Sequence, residues 1–151
     1  FEYLSDAKVV EFEPYKPMSL DETKENLAWR IGTDEMIAVE LKSSHKMIGN
    51  VYMGTREFGA LEIGYVFNRN YWGKGYALES CQTLIRRAFS NGIHRIYAEC
   101  DPENIGSWKL LEALGFRREA HFKQNVWFWQ DDNGKPIWKD TYVYARLDIE
   151  R

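Results

Sequence analysis

Residues 67–92 read FNRNYWGKGYALESCQTLIRRAFSNG, and the order of residue types predicts a strand end, a glycine turn and then a helix. Leu78, Cys81, Leu84, Ile85, Ala88 and Phe89 recur at steps of three and four, which gives one apolar helix face, and Asn91-Gly92 supplies the stop. Gly73 and Gly75 stand directly in front of that helix with Lys74 between them. A helix that starts straight from a turn aims its first backbone N–H groups outward without partners. Those groups, the helix dipole and a nearby lysine attract an anion, and glycines let the anion approach without Cβ interference. A pyrophosphate is the guest this arrangement predicts.

Working outward, SLDETKENLAWRIG (residues 19–32) carries a capping box, with Ser19 and Glu22 placed to satisfy each other's backbone and Gly32 as a stop. EMIAVELK, KMIGNVYMG and ALEIGYVF are three short β-rich runs in succession, a predicted meander. After the central helix, HRIYAEC reads as a strand and NIGSWKLLEALGF as a second helix, capped by Asn104 and closed by a left-handed Gly115 with Phe116 packing back. Strand, helix, strand in that order implies a parallel pairing of LEIGYVF with HRIYAEC. VWFWQ and IWKDTYVYARL flank DDNGKP, whose Asn-Gly predicts a hairpin. The expected fold class is α/β, a mixed and mostly antiparallel sheet with helices on both faces.

Bulk properties narrow the function. A chain of 151 residues, 44% hydrophobic, buries one sizeable core, so a single domain over residues 1–151 is expected. Aromatic content of 15% is enough either for a Trp-rich core or for broad apolar surfaces lining a groove. A net charge of −3 disfavours nucleic acid, whose phosphates need clustered Lys and Arg, and suits a cationic or neutral partner. Cys81 and Cys100 lack metal-ligand spacing and read as buried thiols in a reducing compartment; no metal site is expected. No apolar run approaches the roughly 18 residues of a membrane span, and FEYLSDAKVV has no signal-peptide pattern, so a cytoplasmic protein with no membrane partner is expected.

Three phosphate-binding patterns can be laid on NRNYWGKGYAL. A Walker loop requires Ser or Thr after Gly-Lys and an earlier glycine where Asn68 stands; a dinucleotide fingerprint requires a glycine at Leu78. Both fail. The third, Gln/Arg-x-x-Gly-x-Gly/Ala, is matched by Gly75 and Ala77, with Trp72 in place of the Gln or Arg. That loop resembles the pyrophosphate loop of the GNAT acetyltransferases. DPENIGSWKLLEALGF resembles the Asn-x-x-Ser-x-x-Leu-x-x-x-Gly-Phe segment of the GNAT branch that contains the ribosomal-protein N-terminal (alanine) acetyltransferases, and KDTYVYARL resembles that branch's closing strand. The likeness spans about Glu2 to Leu147, and the family's first strand has no counterpart in these residues.

The resemblance implies a GNAT fold with a splayed central parallel pair and acetyl-CoA as cosubstrate in the opening. Carried over by position, it implies backbone contacts from Tyr65 and Phe67 to the pantetheine arm. The amides of Gly73, Lys74, Gly75 and Ala77, flanked by Trp72 and Leu78, would hold the pyrophosphate. Asn104 would bond pantetheine, although helix capping competes for the same side chain. For catalysis it implies a Tyr65 backbone N–H as oxyanion donor and Ser107 as partner of the departing thiolate. The tyrosine that many relatives use for that proton is Leu111 here, and a glutamate of related enzymes is Val126. As base, Glu62 comes first, on the expectation that apolar neighbours raise its pKa; Glu99 and His121 follow, and a water relay is the alternative. The acceptor would be a primary amine, either a peptide N-terminus or a small cationic amine such as a polyamine or aminoglycoside. Trp29 and Trp127 are placed either on the acceptor side or in the core. The molecule would be a monomer or a homodimer through its aromatic hairpin. The other reading is a module that binds coenzyme A without catalysis.

Overall fold

The computed structural model describes residues 1–150. The capping box forms as its spacing dictates: Ser19 Oγ accepts the Glu22 N–H (3.2 Å) and Glu22 Oε2 accepts the Ser19 N–H (2.7 Å), starting α1 at Leu20–Ile31. Gly32 ends it with φ −80°, so the stop uses no left-handed residue. Next come β1 (Met36–Glu40), β2 (Met47–Thr55) and β3 (Leu61–Phe67), the meander, paired antiparallel throughout. Then follow α2 (Tyr76–Ser90), β4 (Arg95–Cys100), α3 (Ile105–Ala113), β5 (Arg117–Gln130) and β6 (Pro136–Leu147). The sheet order is β1-β2-β3-β4-β6-β5, with β3 and β4 as its parallel pair.

Strand alternation divides the sheet into two faces. On one face Val51, Ile63, Phe67, Ile96 and Tyr144 pack with Cys81 and Ile85 of α2 and Leu111 of α3. This is the core, each fully buried aliphatic side chain contributing about 1.5–3 kcal/mol. On the other face lie α1 and the turn-rich segment before it. They are held there by Asn50 of β2, whose Oδ1 accepts from Tyr3 Oη (3.0 Å) and from Arg30 Nη1 (2.7 Å). Asn50 is buried, and these two bonds are what make a polar side chain tolerable there.

Two elements differ from the sequence reading. β5 starts at Arg117, nine residues before VWFWQ, in a run so polar that no apolar alternation marks it. It is an edge strand and takes its order from the ladder to β6, with irregularities around Phe122–Val126 where Gln124 has φ 45°. The β5–β6 hairpin forms, but Asn133-Gly134 is not a two-residue turn. Asp131 O accepts from the Gly134 N–H, Gly134 alone is left-handed (φ 76°), and Asp131 Oδ1 accepts the N–H groups of Asn133 and Lys135.

Candidate active site

The central parallel pair is short. β3 and β4 pair only at Leu61–Ile96 and Glu62–Tyr97, after which five residues of β3 and three of β4 run on apart. In β3 the even residues face β2, because the Asn68 N–H donates to Ile48 O (2.8 Å) and antiparallel pairing alternates from there. Tyr65 and Phe67 therefore direct their backbone groups towards β4, into the splay. The Phe67 carbonyl is already bonded by the Trp72 indole N–H (2.8 Å), so the tryptophan in place of Gln or Arg holds the strand end to the turn while its ring stays exposed.

The glycine turn behaves as its composition requires. Gly73 (φ 70°) and Gly75 (φ 84°) are both left-handed, and a Cβ at either would meet no protein atom within 4 Å. Conformation, not crowding inside the protein, demands glycine there. Gly75 is the N-cap of α2 and brings no side chain, and the Glu79 N–H donates to Gly75 O (2.9 Å) as the first helical bond. The N–H groups of Tyr76, Ala77 and Leu78 precede that ladder and face outward. Lys74 Nζ lies over the Tyr71 ring (5.5 Å to its centre), at the same end of the helix.

Across the splay, α3 presents its first turn. Asn104 Oδ1 accepts the Ser107 N–H (3.2 Å), so the cap is made, while the Asn104 amide NH2 has no partner among the described residues. The two roles posed as competitors use different atoms of one side chain. Ser107 Oγ lies 3.0 Å from Tyr65 Oη, which also donates to the Ser107 carbonyl at 3.0 Å. Tyr65, expected to act through its backbone alone, thus also contributes its side chain. Burial pushes its phenol well above the ordinary value, the Ser107 hydrogen bond opposing, so it is an un-ionised strut between β3 and α3. The Cys100 thiol, pushed up to about 11 by burial, also meets Ser107, and Cys81 is pushed up to about 12 by burial alone. Both thiols are free.

Glu62 does not lie among apolar neighbours. Arg56 donates to its Oε2 from Nε (2.8 Å) and Nη2 (2.7 Å), and Nη2 also donates to Tyr52 Oη (2.7 Å). The turn between β2 and β3 brings the pair together, and Arg56 six residues before Glu62 was the readable signal. Glu99 is raised by desolvation, with the Glu62 carboxylate adding to it. His121 is bonded to Asp140 (2.7 Å), which also accepts from Lys123 and from the Gln124 N–H, so it belongs to the bulge of β5. Trp29 and Trp127 are both exposed rather than core residues; Trp29 lines the cleft, whereas Val126 and Phe128 line it in place of Trp127. Among the described residues no cluster of His, Cys, Asp or Glu could hold a metal, and no helix is long and apolar enough to cross a membrane.

These groups share one cleft of about 1520 Å³, lined by Gly73, Gly75 and Ser107 at one end and by Asn50, Glu62 and Trp29 at the other. Because the two sets sit on opposite faces of the sheet, the cleft passes through the β3–β4 splay. A helix start with unpaired N–H groups, an open strand edge and a chamber carrying Glu13, Glu62 and Glu99 thus lie along one cleft. A family model of the acetyltransferase (GNAT) domain matches residues 1–117. An uncharacterized N-acetyltransferase of Bacillus subtilis, YnaD, is 35% identical, covering 99% of this chain and 86% of that protein. Among solved structures, a GNAT-family acetyltransferase from Bacillus anthracis superposes with a TM-score of 0.88 at 34% identity, covering 99% of this chain and 87% of the other. The ribosomal-protein-S5-alanine acetyltransferase of Vibrio fischeri superposes with a TM-score of 0.73 at 25% identity, covering 97% and 86%. The chain belongs to the GNAT family, and it is an N-acetyltransferase.

Proposed function

We propose that the protein transfers the acetyl group of acetyl-CoA to a cationic primary amine, a peptide N-terminus or a small amine, by direct attack on the thioester. The observation that carries this is the continuity of the cleft, from the unpaired amides of α2, past the strand edge of Tyr65, to the acidic face beneath α1. The pyrophosphate sits on the N–H groups from Gly73 to Leu78, beside Lys74. Pantetheine threads the splay along Tyr65 and Phe67, and the free Asn104 amide meets it from α3.

At the reacting carbonyl, the Tyr65 N–H stabilises the oxyanion; a fixed dipole aimed at developing charge contributes about 3 kcal/mol in comparable sites. Ser107 Oγ donates to the departing thiolate, and Tyr65 Oη fixes its rotamer. A serine is a weak acid, so its effect is that of a hydrogen bond to charge as it develops. Glu62, first choice as base from sequence, is already paired with Arg56, and in this reading it shapes the floor of the acceptor chamber.

The test is thiol release from acetyl-CoA with a panel of N-terminal peptides, polyamines and aminoglycosides. Acceptor-dependent release above the background rate is expected. Acetyl-CoA binding with no release for any amine would instead favour a binding module. Ser107→Ala is expected to lower kcat about 10²-fold while leaving acetyl-CoA affinity within a few-fold. The fold should persist, because the Asn104 cap uses the Ser107 backbone and Tyr65 keeps its bond to the Ser107 carbonyl. An unchanged kcat removes Ser107 from the mechanism.

A further inference from the structure

The acceptor half of the cleft is walled by the segment before α1, and that wall carries Glu13, half-buried and beside Tyr15. The cation that acts on it, Arg30 of α1, is committed elsewhere: its Nη1 donates to Asn50 Oδ1 (2.7 Å) and its Nε to Asn26 Oδ1. Glu13 therefore has no ion pair among the described residues. Most carboxylates lining the same cleft do. Glu11 is held by Lys8, Glu62 by Arg56, Asp101 and Glu103 by Lys139, and Asp140 by Lys123. Glu99, also without one, is exposed and adjoins the Arg56-paired Glu62. A half-buried carboxylate that faces a substrate cleft and lacks a cation of its own is a place for a substrate cation.

We infer that Glu13 receives the acceptor amine, pairing with its ammonium and then taking its proton. The inference rests on the N-acetyltransferase reading above and assigns the group that Glu62 leaves open. In the balanced step, the ammonium gives one proton to Glu13 and the freed nitrogen lone pair forms the bond to the thioester carbonyl. The C–S bond breaks with its electron pair on sulfur, and the second proton of the nitrogen passes to that thiolate. Desolvation supports the assignment: it pushes the Glu13 carboxyl up to about 7, with Arg30 pulling the other way. Against an α-amine at about 7.7–8.0, a proton transfer to such a carboxylate is nearly balanced, whereas an ordinary carboxylate would leave it strongly uphill. The groups facing Glu13 are Arg30 from α1 and Tyr15 from its own segment, with Tyr3 beyond Tyr15; burial raises both phenols, so both are neutral in the working range.

The experiment measures kcat/KM against pH for wild type, Glu13→Gln and Glu99→Gln, with acetyl-CoA and two probe amines, spermidine and a tetrapeptide with a free α-amine. Wild type is expected to lose activity below a midpoint near pH 7 that is the same for both amines, since a limb set by the amine itself would move with it. Glu13→Gln is expected to fall about a hundredfold and to lose that limb, with acetyl-CoA affinity unchanged by calorimetry; Glu99→Gln is expected to keep it. A second readout needs no turnover. A carboxyl near 7 in the fold and near 4.5 unfolded holds its proton more tightly when folded, so stability falls as pH rises through that window. Glu13→Gln should flatten the slope of Tm against pH there. An active wild type whose limb survives in Glu13→Gln overturns the Glu13 assignment alone. A wild type with no acceptor-dependent thiol release overturns the transferase reading and this inference with it.

Discussion

Gly75→Val is expected to weaken coenzyme A binding about a hundredfold while the protein stays folded. The residue sits at φ 84°, where a β-branched side chain costs about 1–3 kcal/mol. A Cβ there meets no protein atom within 4 Å, so the added branch enters open space where Gly75 lines the cleft at the start of α2. In the proposed reading that is the space the pyrophosphate takes. Relaxation of the turn to relieve the strain would also swing those N–H groups away from a common focus. Together the obstruction and the lost convergence correspond to roughly 2.8 kcal/mol, or two decades in Kd. Gly134→Val is the control: φ 76°, again no atom within 4 Å, but in the β5–β6 turn. It carries similar strain and should leave coenzyme A affinity alone. Calorimetric Kd values for the two variants decide the matter, and wild-type affinity in Gly75→Val would place the anion somewhere other than the start of α2.

What could be read from sequence divides along physical lines. The ends of α1, α2 and α3 were legible because caps are local: Ser19 with Glu22, Gly75 ahead of an apolar stripe, Asn104 and Gly115 around nine residues. The parallel β3–β4 pair followed from connection topology. The polar run Arg117–Asn125 was not legible, since an edge strand is ordered by its neighbour and needs no apolar face of its own. The side-chain contacts of the cleft were hidden for a different reason, because they are long-range. Tyr65 and Ser107 stand 42 residues apart and Arg30 and Asn50 20 apart, and nothing in either local stretch announces the contact. Glu13 lies in EFEPYKP, which has no period and no cap, and only the packing of that segment against α1 and β2 gives it an environment. The glycine turn could be found by motif because a left-handed backbone writes itself into glycines; the far half of the cleft could not, because side chains from well-separated segments line it.

The second large effect concerns Leu111, the position at which the family resemblance would place a tyrosine. Leu111→Ala is expected to cost about 3 kcal/mol and to lower Tm by roughly 6–12 °C, read by thermal denaturation. Leu111 has no exposed surface, packs in the core between α3 and the sheet, and its carbonyl accepts the Phe116 N–H (3.0 Å) that closes the helix. Truncation leaves a cavity that neighbours as fixed as Tyr144 and Ile85 cannot fill. The same burial bears on mechanism. Leu111→Tyr would force a larger ring into a filled site at about 1–3 kcal/mol and bury a hydroxyl whose missing partner costs about 1–3 kcal/mol more. Such a variant should be less stable and no faster in thiol release if, as proposed, the thiolate is served from Ser107 of α3, bonded to Tyr65 of β3. If Leu111→Tyr instead melted with wild type and turned over faster, the space beside residue 111 would have to open onto the thioester. The hydrogen bond between Tyr65 and Ser107 would then be a structural tie of α3 to β3, with no part in releasing the thiol.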